Sequence, residues 1–131
     1  VLIRRLDDAK AEPFQERGAR GAYRRTLVAE ENGSRFFRLR FYTLQEGGQT
    51  PFDVHPYEHV VIITRGQGSV LTRSSGVPQA KRIGEGDIIY IGPNEPHQFI
   101  NTGPGPLEFY CFGTAAELYE GVRSTAQADM A

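Results

Sequence analysis

Tryptophan is absent from this chain, methionine and cysteine occur once each, and there are only three histidines. The single Cys111 excludes an internal disulfide and leaves the redox compartment open. Neither sign of charge dominates: 15 Lys and Arg against 16 Asp and Glu give a net charge of -1. That balance carries no electrostatic footprint for nucleic acid. No apolar run approaches the roughly 18 residues that a membrane span needs. The opening Val1-Leu2-Ile3-Arg4-Arg5 is too short an apolar stretch for a signal peptide. These absences predict a soluble, cytoplasmic protein with no nucleic-acid or membrane partner.

What the chain does have is punctuation. Its 131 residues suit one domain with a real core. Fifteen glycines, 8 prolines, 8 Phe and 6 Tyr favour short strands joined by tight turns over a helical bundle. Residues 1–30 read as an N-terminal arm with a peripheral strand from Ala22 to Ala29, ended by the turn signal Asn32-Gly33. Beyond it Phe37, Leu39 and Phe41 share one face, and Arg38, Arg40 and Tyr42 the other. Gly47-Gly48 is expected to turn the chain. Further strands are expected at Val60–Thr64, Ser69–Arg73, Ala80–Ile83, Ile88–Ile91, Gln98–Ile100 and Leu107–Phe112. Eight to ten strands at near-even spacing predict an all-β barrel or sandwich over residues 31–113. Residues 114–131 are expected to form a tail, mildly helical from Thr114 to Val122 and frayed from Ser124 to Ala131.

All three histidines lie in two glycine-bounded segments, Gly47–Gly66 with His55 and His59, and Gly86–Asn101 with His97. Side chains alternate faces along a strand, so Asp53, His55 and His59 share a parity, continued by Val61 and Ile63. Pro56 is the residue able to interrupt that run. With His97 from another strand, three imidazoles and one carboxylate assemble a divided metal site. Neutral imidazole is the commonest metal ligand near pH 7, and ligand types alone do not choose among Mn, Fe, Co, Ni, Cu and Zn.

These segments resemble the two motifs of the cupin superfamily, specifically its small single-domain members. The first motif runs Gly, five residues, His-x-His, three or four residues, Glu, six residues, Gly. Here Gly47, Asp53-Val54-His55, His59 and Gly66 keep that spacing. The second runs Gly, five residues, Pro-x-Gly, two residues, His, three residues, Asn; Gly86, Gly92, Asn94, His97 and Asn101 occupy the corresponding places, with Gly92 for the proline and Asn94 for the second glycine. Asp53 stands where the family has its first histidine, and His59 where it has glutamate. The ligand inventory is preserved but permuted. The shorter Asp53 either reaches the metal or orients His55 or a water. Glu58 faces away by alternation and is the alternative carboxylate if the strand bulges. Asn94 in place of glycine is a mild change, because asparagine tolerates left-handed backbone.

The resemblance implies a cupin double-stranded β-helix (jelly-roll barrel) with a short C-terminal helical tail. It also implies one divalent transition metal per chain, Fe, Mn, Ni or Zn, held by His55, His59 and His97 with Asp53. The implied activity is that of a metalloenzyme, dioxygenase-like or lyase/isomerase-like, acting on a small organic acid or phenolic compound. A non-enzymatic barrel that binds a metal or small ligand is the alternative, as is one that has lost its metal. Arg40, Tyr57 and Phe99 are the substrate-binding candidates, with Tyr90 a further aromatic for the pocket. An inward Arg38 and Arg40 would meet a substrate carboxylate; an outward pair, which strand patterning favours, would be a solvated or dimer-facing stripe. Cys111 reads as a small buried hydrophobe with no neighbour in sequence to activate it. Small cupins commonly pair through an N-terminal strand and a sheet face, so a homodimer is expected.

Overall fold

The computed structural model describes residues 1–114; Thr114, expected to open a helical tail, is extended, and the rest of that tail lies outside the described residues. The strands are β1 (Glu12–Pro13), β2 (Arg20–Val28), β3 (Phe37–Gln49), β4 (His59–Arg65) and β5 (Gln67–Ser74). They continue as β6 (Val77–Gly84), β7 (Ile88–Ile91), β8 (His97–Asn101) and β9 (Leu107–Thr114). Every pairing is antiparallel, and one curled sheet runs in the order β6-β5-β8-β3-β9-β4-β7, with β2 and β1 added on β3. This is the all-β half-barrel expected of a cupin. No helix among the described residues is long and apolar enough to cross a membrane.

Local chemistry explains the turns. Ser75 and Gly76 both adopt positive φ, 52° and 78°, closing the β5–β6 hairpin with the twist that a two-residue loop favours. Gly66 turns the chain between β4 and β5, where a Cβ would lie 2.3 Å from the Pro106 carbonyl oxygen. Gly47 and Gly48 do not turn the chain as expected. They lie inside β3, where a register shift against β2 makes a bulge beside Gly21. A Cβ on Gly48 would meet three backbone oxygens at 2.8–2.9 Å. The glycine pair therefore bends a long strand instead of ending it, and β3 reaches β8 through Gln49 and Ile100.

Cross-strand register stacks the interior into rows. Tyr42, Phe109 and Ile63 form an apolar row above Leu44 and Leu107. Above it come Arg40, Cys111 and Val61, then Arg38, Gly113 and His59. The arginines thus share the interior face with Tyr42, contrary to the outward stripe that patterning favoured. The reason lies on the other face: Phe41 and Leu39 are covered by Leu6, Ala9 and Leu27 of the N-terminal region, with Tyr110 alongside. Arg4 Nη1 donates to the Leu27 carbonyl at 2.7 Å, and Arg25 Nη1 to the Ala9 carbonyl, fastening that cover. An apolar outer face leaves the polar side of β3 to point inward, toward the barrel mouth.

Asn101 closes the opposite end. It is buried, and its Nδ2 donates to the carbonyls of Leu44, Gln45 and Gly105 at 3.0, 3.1 and 2.8 Å. Its Oδ1 accepts from Gly103 N at 3.1 Å. One amide therefore ties β3 to the β8–β9 turn. Asn101→Ala is expected to destabilise the protein by about 1–3 kcal/mol, because it strands buried carbonyls. Asn101→Asp should be at least as damaging, since it turns an acceptor toward them. Urea unfolding of the three proteins checks both.

Candidate functional site

Residues 50–58 connect β3 to β4 without forming the unbroken strand that the parity argument assumed. Pro51 and Pro56 lack the N–H that a ladder needs. The segment is instead pinned to β8 at single points. Thr50 N donates to the Phe99 carbonyl, and Phe99 N to Thr50 Oγ1, both at 2.9 Å. Asp53 N donates to the His97 carbonyl at 2.9 Å, and His97 N to the Asp53 carbonyl at 3.0 Å. Asn94, at φ 61°, donates its N–H to the His55 carbonyl at 2.5 Å. The left-handed asparagine expected from the sequence thus joins the two histidine segments.

These bonds bring Asp53, His55, His59 and His97 to one cavity, over a floor that includes Tyr42, Phe99 and Phe109. The imidazole centroids of His55 and His59 lie 5.0 Å apart, those of His55 and His97 5.3 Å, and those of His59 and His97 5.7 Å. The buried His97 has its Nδ1 2.9 Å from the Glu95 carbonyl. A carbonyl can only accept, so Nδ1 carries the proton and Nε2 the lone pair. His55 Nε2 stands 3.8 Å from Asp53 Oδ2, within ion-pair reach but too long for a hydrogen bond. His59 Nε2 is buried without a hydrogen-bond partner.

The donor set suits a transition ion in number and kind, and the buried, unpartnered His59 Nε2 is the atom that such an ion would satisfy. As placed, no three His, Cys, Asp or Glu side chains among the described residues stand close enough to hold one. The cause is visible in the rings: His55 and His59 stack within 5° of parallel, so their lone pairs do not converge. Ligation needs side-chain rotation, and the partly exposed His55 has the solvent side open for it.

Burial governs the charges. It holds His59 down to about 3, helped by the nearby His55 and His97 and then by Arg38 and Arg40. Burial likewise raises Asp53, with Glu16 adding to the rise and His97 opposing it. It pushes the Cys111 thiol up to about 11 against the pull of Arg40, Arg38 and Arg24.

The remaining candidates divide. Phe99 is buried in the cavity wall, 6.4 Å from the His97 ring. Tyr57 stacks on His55 and His59 at 4.9 and 5.1 Å but is not among the cavity-lining residues. Arg40 also stands outside the lining, level with Cys111 and one row beyond Tyr42, with its Nε buried and unpartnered. Tyr90 does not line this cavity: it points outward, and its hydroxyl donates to Glu58 Oε1 at 2.6 Å. Its parity differs from that of the inward Ile89 and Ile91, and Glu58 accordingly faces away from the site. Beyond the candidates, the lining also takes in Phe14, Tyr42, Thr50, Val61, Phe109 and Cys111. Phe14 comes from the N-terminal region, and Cys111 lies 3.3 Å from His59 Nδ1. The parity Leu107, Phe109, Cys111 points that thiol inward, but nothing in the sequence reveals its partner.

A histidine held below its ordinary value of 6.5 contributes stability above that pH and loses it as pH falls toward about 3. Metal-free protein should therefore lose thermal stability progressively below about pH 6.5. His59→Leu, which cannot take up that proton, should show a shallower loss. Thermal unfolding of both proteins in chelator across that range is the check, and equal slopes would remove His59 as the cause.

Comparison with known proteins agrees with this architecture. The family model described as "Cupin domain" matches residues 40–113. The polyketide cyclase RemF from Streptomyces resistomycificus is similar at 26% identity and TM-score 0.76, over 86% of this chain and 80% of that one. A cupin 2 conserved barrel domain protein from Rhodopseudomonas palustris is similar at 27% identity and TM-score 0.71, over 82% and 72%. A predicted oxalate decarboxylase from Thermotoga maritima, at 21% identity and TM-score 0.76 over 87% and 99%, shares the fold. No curated protein sequence matches the chain. With both histidine segments inside the matched region and the sheet curled around them, the chain belongs to the cupin family.

Proposed function

We propose that this cupin holds one divalent transition metal, Fe, Mn, Ni or Zn, at His55, His59 and His97. In this reading it is a metal-dependent enzyme of lyase or isomerase type acting on a small oxygenated compound, an organic acid or a phenol. The observation that carries the proposal is the meeting of all three imidazoles at one cavity, where the buried His59 Nε2 lacks a partner. Leaving such an atom unsatisfied costs about 1–3 kcal/mol, which a bound ion would remove. When bound, the ion supplies Lewis-acid polarisation of a carbonyl or enolate oxygen.

The chain's own residues take the other roles. Asp53, in the cavity wall beside His55, is placed to hold or move a proton. Arg38 is occupied, donating to the Thr114 carbonyl at 3.2 Å and standing 3.9 Å from Glu30 Oε1. Arg40 has no ion-pair partner among the described residues and a buried, unpartnered Nε, which supports an anionic group on the substrate. Tyr42, Phe99 and Phe109 keep water from the floor and offer apolar surface to a ring or chain. A cavity of about 50 Å³ favours an ion with small ligands over a bulky substrate. The likeness to a polyketide cyclase favours ring-closing chemistry over dioxygen chemistry. Pairing of two chains is supported by Ile62, Ile88 and Phe112, apolar and exposed on the outer face of β4, β7 and β9.

Titration of chelator-stripped protein with each of the four metals, followed by calorimetry, tests the centre. Stoichiometric binding is expected in the wild type. His97→Ala should lose more than the roughly 10–100-fold that removal of a ligand's supporting partner costs. Asp53→Ala should stay within that range if the carboxylate works beside the metal instead of on it. The parallel stack of His55 on His59 favours a second reading, a metal-free ligand-binding barrel. A folded wild type that takes up none of the four metals would establish it.

A further inference from the structure

Cys111 belongs to neither histidine segment, yet the sheet delivers it to them. On β9 it pairs with Val61 of β4 and Arg40 of β3, and its Sγ stands 3.3 Å from His59 Nδ1. The opposite nitrogen of that ring, Nε2, is buried without a partner. Beside the same edge lies Gly113, where a Cβ would sit 3.7 Å from Nε2. The ring is therefore confined on one side by sulfur and left with one undirected nitrogen on the other.

A neutral imidazole carries one N–H and one lone pair, so the sulfur contact decides which nitrogen holds which. If the thiol donated to Nδ1, Nε2 would carry a hydrogen with no acceptor and could not bind an ion. If Nδ1–H donates to the sulfur, the Nε2 lone pair is free. His97 is arranged in that second way, with Nδ1 held by the Glu95 carbonyl at 2.9 Å. We infer that Cys111 is a positioning residue, its sulfur accepting the Nδ1–H of His59 so that the Nε2 lone pair of that ring is presented to a metal. The inference rests on the metal site proposed above. It makes His59 and His97 equivalent donors, one oriented by a backbone carbonyl and the other by a soft, weak side-chain acceptor.

A packing role and a positioning role make different demands on a replacement. Cys111→Val keeps an apolar side chain of similar size and removes the acceptor; Cys111→Ser keeps an acceptor. Zinc titration of the chelator-stripped proteins should give wild-type and Cys111→Ser affinities within about tenfold of each other. Cys111→Val should be about 10–100-fold weaker, the usual cost of losing a ligand's hydrogen-bond partner. Thermal unfolding of the metal-free proteins checks that each is folded, and Cys111→Ala replaces the valine variant if that one is not. Long-range ¹H–¹⁵N spectra of zinc-loaded wild type should show His59 protonated at Nδ1 and metal-bound at Nε2. Wild-type zinc affinity in Cys111→Val, or serine no better than valine, would overturn the role of the sulfur and leave the metal site standing. A wild type that binds no zinc, iron, manganese or nickel would overturn the metal site, and this inference with it.

Discussion

The paired backbone hydrogen bonds between Asp53 and His97 are the constraint on which the site depends. They join a segment that is not a strand to one that is, and neither histidine segment alone contains the cavity. Because the exchange is reciprocal, it fixes the distance and the direction of both residues. Thr50 with Phe99 and Asn94 with His55 extend the same join on either side. The consequence is a cavity lined from the β3–β4 connection, β3, β4, β8 and β9, with Phe14 from the N-terminal region.

Beneath that join the interior changes character in one direction. Leu44, Leu107, Tyr42, Phe109 and Ile63 fill the floor, while the arginines, Cys111 and His59 occupy the rows above. Low solvent access strengthens every charge interaction there and disfavours new charge. That single cause keeps His59 neutral, draws Asp53 toward its protonated form and keeps Cys111 a thiol. Neutral imidazoles are the state that ligation requires. The N-terminal region contributes from outside. By covering Phe41 and Leu39 it sets which side of β3 faces in, and so places Arg38 and Arg40 near the histidines.

The relation between motif and geometry is instructive at three positions. Asp53, at the place of a family histidine, lines the cavity but is also a backbone hinge of the join. His59, at the place of the glutamate, begins β4 and carries the alternation of Val61 and Ile63 into the core. Tyr57 and Arg38 close over the outer side of the cluster, ring on ring and guanidinium 6.0 Å above the phenol. The permuted donors of the motif therefore sit on strands and bridges that also carry the fold.

The strands, the left-handed Asn94 and the inward facing of Asp53 and the three histidines were legible in the residues. All are local signals: alternation, turn chemistry and motif spacing. The glycine pair was misread because a glycine that bends a strand and one that ends it look alike until the partner strand is known. The facing of Arg38 and Arg40 was misread for the same kind of reason. Alternation separates two faces but cannot say which is covered, and here a distant N-terminal cover decided it. Cys111 read as a buried hydrophobe without a partner, since its neighbour, His59, is 52 residues away in sequence and meets it only across a strand pair. Sequence alone determined the elements, the family motifs and the stock of donors. Tertiary structure alone decided which face was inside and which atoms met, because those depend on contacts between segments that carry no record of one another.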